Sequence, residues 1–226
     1  MHAEAVAGAQ RIVLFDFDGV LIHGDAFNLF LRQRFRRGWW RLLLALPLSP
    51  LLAVLACRRS GRLADARLLV RCALFGVGEA RYRRLAARFA AELVQGSRRF
   101  SRDAIRALRD RVRSGDRVVI VSGCEERLLR ELLGALGLDD GVEVVASRLG
   151  RGWLGMRIEW HNIGRRKVQA LARHGIDAWA FACSDSYHDL PILALAAEPV
   201  LVNAMPELCK RVEKALGRTV TRVEWR

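Results

Sequence analysis

Lysine is nearly missing from this chain: of its 38 basic residues only Lys167, Lys210 and Lys214 are lysines, and the rest are arginine. Against 24 acidic residues this leaves a formal net charge of +14, a field that favours phosphates, nucleic acid or an acidic membrane surface. Heavy arginine use also follows from genomic base composition, so the charge alone selects none of these. Cysteine is sparse and unpatterned. Cys57, Cys72, Cys124, Cys183 and Cys209 form no Cys-x-x-Cys pair and have no histidine at metal-ligand spacing, which argues against a disulfide or zinc framework and for reduced, mostly buried thiols. Met1 to Gln10 lacks a basic stretch followed by an apolar one, so no secretory signal is expected there and residues 1–10 read as a disordered tail. There is no internal repeat, no low-complexity segment and no aromatic-interleaved basic platform, and the expectation is of no nucleic-acid partner.

What is present is enough apolar sequence, 52% of 226 residues, for one ordinary domain plus an insertion. The chain is organised around Arg11 to Val20, Arg-Ile-Val-Leu-Phe-Asp-Phe-Asp-Gly-Val. A β-branched and aromatic run that ends in two carboxylates and a glycine reads as a buried parallel strand delivering acids to its carboxyl end. On an ideal strand Asp16 and Asp18 face the same side, where they repel unless a cation or a proton lies between them. An ordinary strand-closing turn uses the same residue types.

From Ala26 the apolar positions Phe27, Phe30, Leu31 and Phe35 recur at helical spacing, so a helix is expected there. It leads through Arg32, Arg34, Arg36, Arg37 and Arg41 into Leu42 to Cys57, a run with no charged residue. As one helix those residues would span about 24 Å, short of a hydrocarbon core of about 30 Å, and Pro47 and Pro50 interrupt the middle. Arg58, Arg59, Arg62, Arg67 and Arg71 follow, which puts both ends on the same, cytoplasmic side. A re-entrant hairpin or interfacial helix pair, with Trp39 and Trp40 at headgroup depth, therefore fits better than a crossing; a helical hairpin buried in a soluble subdomain is the alternative. Leu63 to Leu93 is helical again, broken near Gly76 and Gly78. Residues 24–96 thus read as a helical cap with a membrane-associating segment at 39–57, inserted into a core formed by 11–23 and 97–226.

The α/β alternation resumes with a helix at Ser101 to Arg113, capped by Ser101. Strands are expected at Arg117 to Val121, Val142 to Ala146, Ala178 to Cys183 and Val200 to Asn203, with a hairpin near Trp153 to Trp160. Helices are expected at Glu125 to Leu136, Gly164 to His174, Pro191 to Ala196 and Met205 to Leu216. That alternation predicts an α/β fold with a doubly wound parallel sheet. Its strand tips carry Asp16 and Asp18, then Ser122, then Asp185 with Asp189, and Lys167 opens the helix between the last two. In such a sheet the tips converge on one crevice. The set is what Mg²⁺-assisted phosphoryl transfer through an aspartyl intermediate needs.

On these residues the chain resembles the haloacid dehalogenase superfamily of phosphohydrolases. Asp16-Phe17-Asp18-Gly19-Val20 is similar to its first motif, Val121-Ser122-Gly123 to its second, Lys167 to its third, and Ser184-Asp185-Ser186-Tyr187-His188-Asp189-Leu190-Pro191 to its fourth. The insertion between the first two is similar to that of the phosphoserine-phosphatase-like branch, and its Asp25-Ala26-Phe27, arginine-rich helix and Leu/Pro run resemble the phosphatidylglycerophosphatases of that branch. Val20 stands where many relatives have threonine.

The resemblance implies that Asp16 is nucleophile and metal ligand, and that Asp18 is acid and base, with its backbone carbonyl on Mg²⁺. It further implies that Asp185 completes the protein's metal ligands and that Asp189 orients a metal-bound water. Ser122 and the Gly123 amide would hold phosphoryl oxygens, and Lys167 would offset charge on Asp16 and the phosphoryl group. Asp25 either contacts substrate or caps the helix at Ala26. His23, His161 and His188 read as polar loop residues. The implied function is hydrolysis of a phosphomonoester, foremost a lipid headgroup such as phosphatidylglycerophosphate at the cytoplasmic face of the inner membrane. A soluble small-molecule phosphatase of the phosphoserine phosphatase type is the alternative, and a nucleic-acid-binding module a remote one.

Overall fold

The computed structural model describes residues 10–38, 40, 61–96 and 98–226, and for 61–66 the backbone alone. Residues 1–9 of the expected tail at 1–10, and the apolar run at Leu42 to Cys57, lie outside the described residues. Seven strands form one sheet in the order β4-β3-β2-β1-β5-β6-β7. These are β1 (Ile12–Phe15), β2 (Arg117–Glu125), β3 (Val142–Gly152), β4 (Gly155–Trp160), β5 (Trp179–Ser184), β6 (Ala196–Val202) and β7 (Thr221–Val223). All neighbours are parallel except β3 and β4, which form an antiparallel hairpin. The α/β, doubly wound reading holds, with a helical insertion.

Between β1 and β2 run α1 (Ala26–Arg37), α2 (Gly61–Ala73), α3 (Glu79–Gly96) and α4 (Arg102–Arg113). Ser101 caps α4 by accepting the Ala104 N–H at 3.1 Å. Later helices are α5 (Glu126–Ala135), α6 (Arg165–Arg173), α7 (Leu190–Leu195) and α8 (Pro206–Leu216). Alternate residues of each strand feed opposite faces of the sheet, as the two-residue strand period requires. Val13, Phe15, Val118, Ile120 and Cys183 join the larger core beneath α1, α3, α4 and α5. Leu14, Val119, Val121, Ala182 and Leu201 join the second core beneath α6, α7 and α8. Within the insertion, Phe30 of α1 meets Tyr82 and Phe89 of α3 edge-on, with ring centroids 5.8 and 5.4 Å apart.

Strand order reverses at β1, which lies between β2 and β5. Phe15 is in register with Ile120 on one side and Cys183 on the other. The next residue, Asp16, donates its N–H to the Cys183 carbonyl at 3.0 Å. The chain's first acid therefore leaves the sheet at its topological switch point, where open α/β sheets bind ligands.

Candidate active site

The site is built by a turn rather than by a continuing strand. β1 stops at Phe15, short of the expected Val20, because the Asp16 carboxylate accepts the Phe17 N–H at 2.8 Å and the chain folds back. Gly19 then donates to the Ile22 carbonyl at 2.8 Å with φ at +77°, a conformation suited to glycine. Gly19 is constrained a second way: a Cβ there would lie 1.8 Å from Asp185 Oδ2. The first strand tip and the fifth are thus pressed together, and only a residue without a side chain fits between them.

The two acids of the first motif have different surroundings. Asp16 is buried, and Lys167 Nζ stands 3.1 Å from its Oδ1. Asp18 accepts the Ala26 N–H at 2.8 Å, at the start of α1, and the Ser122 hydroxyl at 3.2 Å. Ser122 accepts in turn from the Cys124 N–H at 2.9 Å. Lys167, itself buried, makes its shorter contact to Asp189, 2.7 Å away, and the Ser184 hydroxyl donates to the same Asp189 oxygen at 2.7 Å. That oxygen therefore accepts from two donors, and Asp189 holds Lys167 in place. Asp25 is the N-cap of α1, accepting the Asn28 N–H at 2.7 Å. The geometry realises the capping reading of Asp25, which also borders the cavity beside the site.

Sequence reasoning missed a brace behind Ser122 and Gly123. Asn162 is fully buried and donates its amide to the carbonyls of Ser122 and Val145, at 3.2 and 2.8 Å. Its backbone N–H donates to Ser147 Oγ at 2.9 Å, and that hydroxyl donates to the Gly123 carbonyl at 2.7 Å. Both peptide units of the second motif are pinned from behind, a preorganisation that costs nothing when a ligand arrives. The one available signal was an asparagine just after a predicted strand, which is also an ordinary loop residue.

Electrostatics follow from burial. Desolvation lifts Asp16 well above the usual carboxylate range, with Lys167 opposing and Asp189 and Asp18 adding to the rise. Desolvation, reinforced by Asp25, pushes Asp18 up to about 7. Asp185 rises to about 6 by desolvation and by repulsion from Asp189. Burial would raise Asp189 too, but the Lys167 ammonium and the hydrogen bonds it receives hold it below the ordinary value. Lys167 loses by desolvation and gains more from Asp16 and Asp189, so it stays protonated.

Asp16 and Asp189 flank one buried ammonium, and Asp18 and Asp185 have no ion pair among the described residues. Hard oxygen donors carrying surplus negative charge, with Gly19 clearing the space against Asp185, fit a divalent ion such as Mg²⁺. Among the described residues no three His, Cys, Asp or Glu side chains close around one point.

A pH test follows. A carboxylate whose value in the fold exceeds its unfolded value contributes stability that is present below about pH 4 and lost as pH rises through the folded value, here about 6 for Asp185 and about 7 for Asp18. Metal binding through the Asp185 side chain must displace its proton. Mg²⁺ is therefore expected to raise the melting temperature clearly at pH 8 and little at pH 5. Equal increments at both values would contradict the assignment.

Beside Asp25 and Gly123 opens a cavity of about 210 Å³, walled by Phe27 and Leu31 of α1, Leu69 of α2, and Leu149 and Ile158 of the β3–β4 hairpin. His161 also lines it, and its buried Nδ1 has no hydrogen-bond partner. A larger groove of about 830 Å³, bordered by Tyr82, Arg130 and Asp139, contains none of Asp16, Asp18, Asp185 or Lys167.

Carboxylates and a lysine thus gather at the switch point of a doubly wound sheet. Residues 13–194 match the family of haloacid dehalogenase-like hydrolases, and the chain belongs to that family. Mg²⁺-dependent chemistry is general to it. Among solved structures, the fold is similar to a protein of unknown function from Bordetella pertussis Tohama I, at TM-score 0.71 and 20% identity over 94% of this chain and 99% of that one. It is also similar to a phosphoserine phosphohydrolase-like protein from Francisella tularensis subsp. tularensis SCHU S4, at TM-score 0.60 and 15% identity over 95% of each chain. A HAD family hydrolase from Salmonella enterica subsp. enterica serovar Typhi matches at TM-score 0.59 and 17% identity, over 94% of this chain and 66% of that one. At such identities the likeness is one of fold.

Proposed function

We propose that this chain is a phosphomonoesterase that passes the phosphoryl group through Asp16. The observation that carries the reading is the division of labour between two acids two residues apart: Asp16 lies against Lys167, while Asp18 lies away from it, under the Ala26 amide and the Ser122 hydroxyl. Asp16 forms a bond to phosphorus as the ester P–O bond breaks, and the leaving alkoxide takes its proton from Asp18. Asp18, now a carboxylate, takes a proton from water, and the resulting hydroxide displaces Asp16 to release inorganic phosphate. A value of about 7 suits Asp18 to give and take that proton near neutrality. Ser122, the Gly123 amide and Lys167 hold phosphoryl oxygens and offset their charge. Asp16, Asp185 and the Asp18 carbonyl would hold Mg²⁺, which supplies charge neutralisation and keeps Asp16 ionised.

For the substrate, a small soluble phosphomonoester of the phosphoserine phosphatase type is better supported than a lipid. The cavity beside the site, about 210 Å³, is below the roughly 300–1,000 Å³ of sites that engulf drug-sized ligands. The similar fold of the phosphoserine phosphohydrolase-like protein points the same way. No helix among the described residues is long and apolar enough to cross a membrane. The second reading, a lipid headgroup such as phosphatidylglycerophosphate, rests on the uncharged run Leu42 to Cys57 with its arginine flanks, which lies outside the described residues. Phosphate release with Mg²⁺, measured on phosphoserine and other soluble monoesters and on phosphatidylglycerophosphate in mixed micelles, separates the two. The expected result is turnover of at least one soluble monoester. Turnover of the lipid alone would replace the first reading by the second, and no phosphate release from any of them would overturn both.

A further inference from the structure

The β3–β4 hairpin turns at Trp153 and Leu154, positions where a two-residue connection ordinarily carries Gly, Asn or Asp. Here Trp153 is 97% exposed and Leu154 61%. The tip is not a loose loop. Gly76 donates its N–H to the Leu154 carbonyl at 2.9 Å, and Phe75 pairs with Gly155. A Cβ on Gly155 would lie 2.2 Å from the Leu74 carbonyl oxygen, so the hairpin is seated directly on the connection between α2 and α3. Two large apolar side chains are thus held outward by a fixed backbone. Around them Leu69 and Phe75 are also exposed. Beneath them a groove of about 390 Å³ is lined by apolar residues and glycines together with Arg71 and Arg157, with no acid in its wall.

Charge decides what covers this face. Arg67 and Arg71 on α2 and Arg157 on the hairpin line the groove adjoining the apolar tip, beside a single acid, Glu159. Tryptophan over an apolar body with an arginine rim is the composition that favours a headgroup layer. We propose that the hairpin tip and the exposed face of α2 dock on an anionic lipid bilayer, with Trp153 and Leu154 entering the interface and Arg67, Arg71 and Arg157 meeting lipid phosphates. The same two elements supply Leu69, Leu149 and Ile158 to the wall of the active-site cavity, so docking would hold that wall at the bilayer surface. The inference concerns where the protein sits and does not depend on the substrate being a lipid.

The test is flotation of the full chain with vesicles of phosphatidylcholine alone and of phosphatidylcholine mixed with phosphatidylglycerol, beside a double variant, Trp153→Ser with Leu154→Ser. Both side chains are exposed, so hydrolysis of p-nitrophenyl phosphate should be unchanged by the substitutions, which reports the catalytic reading separately. The expected result is binding to the mixed vesicles that salt weakens, reduced about tenfold or more in the double variant. Parent-like binding by the variant, or equal binding to neutral and anionic vesicles, would overturn the proposal. So would loss of self-association in the variant with vesicle binding intact, which would make the occupant a second copy of the chain.

Discussion

Replacing Asp16 by Asn is expected to lower kcat on any substrate by roughly four to six orders of magnitude, as loss of a nucleophile does, while leaving the fold intact. The amide is isosteric, and its oxygen can still accept the Phe17 N–H that the carboxylate accepts at 2.8 Å. Stability should not fall, because Asp16 is a carboxylate lifted by burial and by its acidic neighbours Asp189 and Asp18; neutralising it relieves that repulsion, and Lys167 keeps Asp189. Acid quenching of the parent enzyme during turnover of a labelled phosphomonoester should trap acid-stable, hydroxylamine-sensitive label on protein, and the variant should trap none. Activity within tenfold of the parent would show that the phosphoryl group does not pass through Asp16. An unaltered melt beside a silent assay would separate chemistry from folding.

The placing of the candidate carboxylates was legible because the strands that carry them are hydrophobic runs, and the order of strands and helices then brings their tips together. What was not legible depends on contacts between distant segments. β2 runs on through Ser122, Gly123 and Cys124 to Glu125, past the expected end at Val121, because β3 offers a partner out to Ser147, with an irregularity between Val121 and Glu125. Pairing there overrides the weak strand preference of serine and glycine. β7 is three residues, Thr221–Val223, and is defined by its register with Val200 to Val202 rather than by its own pattern. The pairing of Lys167 with Asp189 spans 22 positions, and the brace from Asn162 to Ser122 spans 40. No local periodicity encodes such a pair. Asp25 shows the opposite case: a cap three residues before its donor is local, and the sequence supplied it as one of two choices.

Lys167 is the residue whose loss should damage both stability and rate, and its replacement by Met is expected to destabilise the protein by about 3–5 kcal/mol. The physical cause is that Asp16 and Asp189, at 3.1 and 2.7 Å from the ammonium and as buried as it is, would face each other with no cation. For a chain of this size that is roughly a 6–20 °C drop in Tm. The deficit should narrow as pH falls, since without Lys167 both acids would be lifted, and protonation removes their repulsion. Turnover should fall by roughly a hundredfold or more, because a charge aimed at the phosphoryl oxygens is lost. Arginine is this chain's usual cation, yet a planar guanidinium cannot take the place of a compact ammonium between two carboxylates at these distances; Lys167→Arg is therefore expected to fail as well. Adding Asp189→Asn to Lys167→Met separates the two roles. Removing the second acid leaves Asp16 without a close rival and should return much of the lost Tm, while kcat stays low. If the double variant regained rate along with Tm, Lys167 would be a structural counter-ion only; if Lys167→Met melted like the parent, the buried pair would not be holding the site at all.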